Sequence, residues 1–211
     1  CSTLFRAQET CYHMFKRYLD HKNCLNNSIH ILPYCNEKTK IGQDDNKPDP
    51  NIWGIPDKDQ KITKIQERVF KNYETLFKTK EPRKKFELAG AGDSIKLVDR
   101  KIFKLDYIRD DFNVLETIPD SENFLEILKG IKENLASEDP IIIVVTHSHF
   151  MKDELNIPEK PKNNSIHKFM MDIQGGSVNS FNYEGVPFIG FDDSDEDLDQ
   201  EDKICETNLK L

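Results

Sequence analysis

At 211 residues, with 36% hydrophobic and 32% charged residues, the chain is polar but long enough for one sizeable core, so a single domain with a tail is expected. Its net charge is −8, and the eight acidic residues between Asp192 and Asp202 alone equal it; with no basic, aromatic-interleaved stripe elsewhere, nucleic acid is excluded as a partner. No apolar run approaches the roughly 18 residues that a membrane span needs, and five cysteines without a C-x-x-C pair or zinc-type spacing read as reduced thiols of a cytoplasmic protein without a membrane partner.

Cys1 to Leu4 reads as the end of a strand, followed by a helix from Phe5 to Leu19 with Phe5, Tyr12, Phe15 and Leu19 near one face. Ser28 to Tyr34 is a short apolar strand. Residues 35–61 read as a loop, broken by Gly42, Pro48, Pro50, Gly54 and Pro56. Ile62, Ile65, Val69, Tyr73, Leu76 and Phe77 then recur at helical spacing and predict a helix over 62–78. In 81–113 basic residues alternate with apolar ones and no period holds, so the stretch reads as an insertion. Ser121 to Ala136 is a helix with Ser121 as its cap.

Asp139-Pro140 leads into Ile141-Ile142-Ile143-Val144-Val145, a β-branched run without alternation. That pattern predicts a strand of a parallel sheet buried on both faces. A short helix is expected at 151–155, and strands at 165–173 and 177–183 joined as a hairpin at Gly175-Gly176. The order of helices and strands is that of a three-layer α/β/α sandwich with a mostly parallel central sheet. The domain is expected over 1–190 with an insertion at about 81–113. The acidic segment 191–211 is expected to be a solvated tail, with docking to a basic partner as its other use.

Three places could carry chemistry. Ser2-Thr3-Leu4-Phe5-Arg6-Ala7-Gln8-Glu9-Thr10 turns from a strand end into a helix, which puts Arg6 in the first turn beside free backbone N–H groups that can hold a phosphoryl oxygen. A solvated helix-start arginine gives the same pattern. Thr146-His147-Ser148-His149 follows the β-branched run and sets His147 at the carboxyl end of a predicted strand, the edge where open α/β sheets bind ligands; a histidine that caps the turn is the plainer account. Glu37 follows the strand ending Leu32-Pro33-Tyr34 and, read alone, is an ordinary loop glutamate.

In this order the motifs resemble the histidine phosphatase superfamily, whose fold is phosphoglycerate-mutase-like. That family carries Arg-His-Gly on its first strand, then S-x-L-x-R-A-x-x-T, a strand leading to a glutamate, and a strand ending in T-H-G or T-H-S. Residues Ser2–Thr10, Leu32–Glu37 and Val145–Ser148 match the last three parts in order. The resemblance covers mainly 1–40 and 121–185, while 41–120 matches no known pattern. It implies a small phosphorylated substrate, a phosphohistidine intermediate and no metal or other cofactor. It further implies that Arg6 clamps the phosphoryl group, His147 donates to its oxygens with Ser148 beside it, and Glu37 protonates the leaving oxygen.

The chain has no Arg-His dipeptide, so the attacking histidine is expected on a strand ahead of Cys1, in an N-terminus that is incomplete as given. The loop 38–60 and the insertion 81–113 decide between a phosphatase and a mutase, and Gly42-Gln43-Asp44-Asp45-Asn46 favours the phosphatase. Two other classes stay open: a non-catalytic module that holds phosphate with Arg6 and His147, and a metal-dependent hydrolase that uses His147 and His149.

Overall fold

The computed structural model describes residues 1–20, 28–37, 48–79, 101–113, 118–135, 140–163, 165–174 and 176–185. The expectations for the tail 191–211, for Gly42–Asn46 and for 81–100 fall outside these residues.

The first helix, α1, covers Phe5–Asp20. Phe5, Gln8, Tyr12 and Leu19 are buried, and their three- and four-residue spacing aligns them along one face. A short α2 spans Pro50–Trp53, opened by Asp49, whose side chain accepts from Asn51 N–H, and by a proline at the start, where its missing N–H costs nothing. The long helix α3 spans Lys58–Thr79. It begins four residues before its first buried side chain, Ile62, because Asp57 caps a wholly polar first turn by accepting from Gln60 N–H at 2.7 Å. The expected loop 35–61 therefore contains α2 and the start of α3.

Helices α1 and α3 pack together through Tyr12, Phe70 and Tyr73, with ring centroids 5.0 and 5.4 Å from Tyr12. Ile62, Ile65 and Val69 of α3 complete this face, each buried side chain contributing about 2 kcal/mol. Arg68 covers the Phe5 ring at 3.8 Å and pairs with Asp49 at 2.6 Å, which ties the entry of α2 to both helices.

Four segments follow one another through backbone hydrogen bonds. Strand β1 (Ile29–His30) pairs in parallel with β2 (Phe103–Lys104). On its other side, Leu32 N–H donates to Cys1 O at 2.7 Å, and Ser2 forms a parallel bridge with Leu32. Ser2 N–H in turn donates to Val145 O at 3.1 Å. The lateral order is thus β2, β1, Cys1-Ser2, Val145. Ile102, Phe103, Leu105 and Ile108 are buried in the same cluster as α1 and α3, so the end of the stretch expected as an insertion belongs to the core.

A second cluster gathers Leu32, Cys35, Phe150 and the helix α4 (Ser121–Glu133) through Phe124 and Leu128. The cap of α4 is Asp120, not Ser121: its carboxylate accepts from Asn123 N–H at 3.0 Å. After the short helix α5 (Ser148–Asp153), β3 (Lys168–Gln174) and β4 (Ser177–Gly185) form an antiparallel hairpin. Met171 and Phe181 from that hairpin pack against the second cluster.

Residues 141–145 depart from expectation. They do not form a regular strand and are not buried on both faces: Ile141 is 89% and Ile143 62% exposed, while Ile142 and Val144 pack on the second cluster. Val145, two residues beyond the exposed Ile143, packs against the first cluster, so the run is covered on both sides only at its end. Cys1, Cys11 and Cys35 are free and buried, and burial pushes the Cys35 thiol up to about 11, as suits packing rather than reactivity. Among the described residues no helix is long and apolar enough to cross a membrane.

Candidate active site

Three of these segments lead into the turns that carry the candidate residues. The chain after Ser2 turns into α1, the chain after Leu32 turns through Tyr34 toward Glu37, and the chain after Val145 turns into α5. Tyr34 adopts a positive φ of 67°, unusual for a residue with a Cβ and a conformation held only where neighbours enforce it. Its ring lies edge-on to Phe112, and its carbonyl accepts from Asp120 N–H at 3.0 Å.

The three turns are bolted together by buried polar groups. Asn36 Oδ1 accepts from Thr3 N–H at 3.1 Å and from Thr3 Oγ1–H at 2.8 Å, and Gln8 donates from Nε2 to Thr3 O at 2.9 Å. Thr146 Oγ1–H donates to Cys35 O at 2.6 Å. Asn36→Ala would leave both Thr3 donors unmet in a buried site, so a loss of roughly 2–3 kcal/mol in unfolding free energy is expected in urea titrations. Asn36→Asp, which keeps an acceptor, should lose less.

His147 stands at the entry to α5 in extended backbone and makes no capping bond to the helix, which frees its ring for the other two turns. Arg6 Nε–H donates to His147 Nδ1 at 3.2 Å. In the neutral ring the remaining proton is then on Nε2, which lies 2.7 Å from Ser2 Oγ and donates to it. Leu4 N–H also reaches Ser2 Oγ, at 3.3 Å. Burial, reinforced by the Arg6 charge, pushes the His147 pKa down to about 3, so the unliganded imidazole is neutral at physiological pH.

The Arg6 guanidinium also donates from Nη2 to Glu37 Oε2. Arg6, His147 and Glu37, three residues expected as site residues, thus form one contiguous set, with Arg6 between the other two. The Glu37 side chain is 13% exposed and that of Arg6 41%, so the set opens to solvent on the arginine side. Ser148 is half-buried as the first residue of α5, and no side-chain hydrogen bond joins it to the other three among the described residues. His149 lies beyond Glu37, its Nε2 3.8 Å from Glu37 Oε1 and its Nδ1 3.7 Å from Asp153 Oδ2. Lys160 Nζ donates to His149 Nε2 at 2.8 Å.

This wiring limits the chemistry. Both nitrogens of His147 are engaged, and His149 Nε2 accepts from Lys160, so neither ring turns a free lone pair toward the other. Among the described residues no three His, Cys, Asp or Glu side chains gather closely enough to hold a metal ion. What the set does offer is a guanidinium fork held between an imidazole and a carboxylate, suited to a tetrahedral oxyanion next to a proton donor. Sequence reasoning missed Ser2 and Asn36 as partners in the site, although Ser2 lies in the motif that pointed to Arg6. The chain matches no family model, no curated protein and no solved structure.

Proposed function

We propose that this chain is the body of a phosphomonoester hydrolase of the histidine phosphatase type, with a three-layer α/β/α architecture and its attacking histidine on a segment ahead of Cys1. The observation that carries this reading is the Arg6 guanidinium joined to His147 on one side and to Glu37 on the other, at the exit of neighbouring extended segments.

In this mechanism a phosphomonoester displaces Glu37 from Arg6 and lays its phosphoryl oxygens against the guanidinium, and His147 Nε2–H exchanges Ser2 Oγ for one of them. The attacking histidine, on the segment ahead of Cys1, meets phosphorus in line, a P–N bond forms, and the ester P–O bond breaks. Glu37, protonated, gives its proton to the leaving oxygen. Water then attacks phosphorus while Glu37 takes its proton; the P–N bond breaks, releasing phosphate and the histidine. The developing charge on the equatorial oxygens is met by Arg6 and His147. No step needs a metal.

The test is acid or alkaline quenching of the full-length protein during turnover of a labelled phosphomonoester. Label that stays on the protein through alkali and is lost in acid identifies phosphohistidine. Phosphate binding without release would instead leave a non-catalytic phosphate-binding module, and no binding at all would overturn the reading.

A further inference from the structure

We infer that the open edge of β4 docks an extended basic segment of a partner protein, which adds to the hairpin as a third strand with its cations against Glu122 and Glu126 of α4.

A groove of about 500 Å³ lies between the first turns of α4 and β4. On the strand side it is lined by Val178, Asn179, Ser180 and Phe181, and by no residue of β3. Successive side chains of a strand point to opposite faces. A groove that meets four of them in a row therefore runs along the edge of the strand, and it is the edge that β3 does not occupy. Among the described residues no backbone hydrogen bond reaches β4 from any segment but β3. The strand thus presents a row of N–H and C=O groups beside a helix, a setting in which an extended peptide adds by backbone pairing.

The lining of the groove selects the occupant. Leu125, Val178 and Phe181, all half-buried, give it apolar surface. Glu122 and Glu126 lie one helical turn apart and are exposed. Glu126 shares Lys129 at 3.1 Å, while Glu122 has no cationic partner among the described residues. No lysine or arginine lines the groove. A lysine or arginine on the incoming strand suits this combination, since its aliphatic stem covers the apolar surface while its head reaches the carboxylates. A second copy paired through its own β4 does not suit it, because the run Ser177–Gly185 holds one glutamate and no cation to set against Glu122 and Glu126.

The experiment titrates the full-length protein into fluorescein-labelled acetyl-Thr-Arg-Thr-Val-Thr-Lys-Thr-amide at low salt and follows the anisotropy. When this peptide is extended, its Arg, Val and Lys share one face. It is expected to bind, and the same peptide with glutamate in place of Arg and Lys is not. Glu122→Lys combined with Glu126→Lys should weaken the basic peptide about tenfold and let the acidic one bind, a gain that misfolding would not produce. Two further basic peptides carry N-methyl groups on alternate residues, one set each. Only one set of N–H groups faces β4 in a paired strand, so one methylated peptide should lose binding while the other keeps it. Binding that responds equally to both methylated sets, or that the double substitution leaves unchanged, overturns the inference. No binding of the basic peptide also overturns it, and a dimer in sedimentation would then assign the edge to a second copy.

Discussion

Replacing Arg6 by alanine is expected to cost about a thousandfold in kcat/KM for phosphomonoesters in the full-length protein and to remove measurable binding of inorganic phosphate. Among the described residues Arg6 is the cation in contact with both His147 and Glu37. Without it, an incoming dianion would face the Glu37 carboxylate with only a neutral imidazole in support. Arg6→Lys should rescue little, because a point charge cannot donate to His147 and to two phosphoryl oxygens with the geometry of a planar fork.

Glu37→Gln supplies the opposing result. In the unliganded site Glu37 occupies the guanidinium that phosphate must use, so the variant should bind phosphate more tightly in calorimetry. It should nonetheless turn over esters of poor leaving groups at least a hundredfold more slowly for want of a proton donor. Tighter binding with undiminished turnover would remove Glu37 from the role of acid. Unchanged phosphate binding in Arg6→Ala would remove the site altogether.

The parts of this structure that were legible in the sequence are those whose signal is local. The face of α1 and the face of α3 follow from apolar residues three and four apart, and the hairpin follows from two β-rich runs around a glycine pair. Strand β2 was not legible, because Ile102, Phe103 and Leu105 form too short a run to show a period, and what makes them core is β1 lying alongside. The run Ile141–Val145 was over-read for a related reason. Five β-branched residues look the same whether a partner covers one face or two, and only the fold reveals Ile141 and Ile143 as exposed.

The site divides in the same way. His147 stood out by its place after a β-branched run, while Arg6 read alone matched a solvated helix-start arginine and Glu37 an ordinary loop residue. Ser2 and Asn36 gave no signal of their own, because what matters about them is long-range: Ser2 and His147 meet across 145 positions of sequence, and Asn36 and Thr3 across 33. A motif can identify such a residue only by resemblance, and the physical reason for it appears once the turns are bolted together.

That bolting has a consequence for acid stability, centred on His147. Its pKa is about 3 in the folded protein against an ordinary value of 6.5, held down first by burial and then by the Arg6 charge. Between those two values the unfolded chain carries a proton on this imidazole that the folded protein refuses. Stability is therefore complete above pH 6.5 and falls as the pH drops toward 3, by up to about 1.4 kcal/mol per pH unit from this one group. His13 and His30, also lowered by burial, add slope of the same sign, and carboxylates add their own, so the raw profile does not isolate it. The comparison that does is wild type against His147→Gln, whose amide can still accept from Arg6 and donate to Ser2 but cannot titrate. Urea titrations from neutral pH down to about pH 4 should show the wild-type protein losing ground steadily to the variant over this range. Parallel profiles would mean that His147 takes up its proton in the folded state at an ordinary pH. The imidazole would then be a cation below about pH 6.5 even without phosphate, and the neutral, Arg6-bonded tautomer would not be the resting form of the site there.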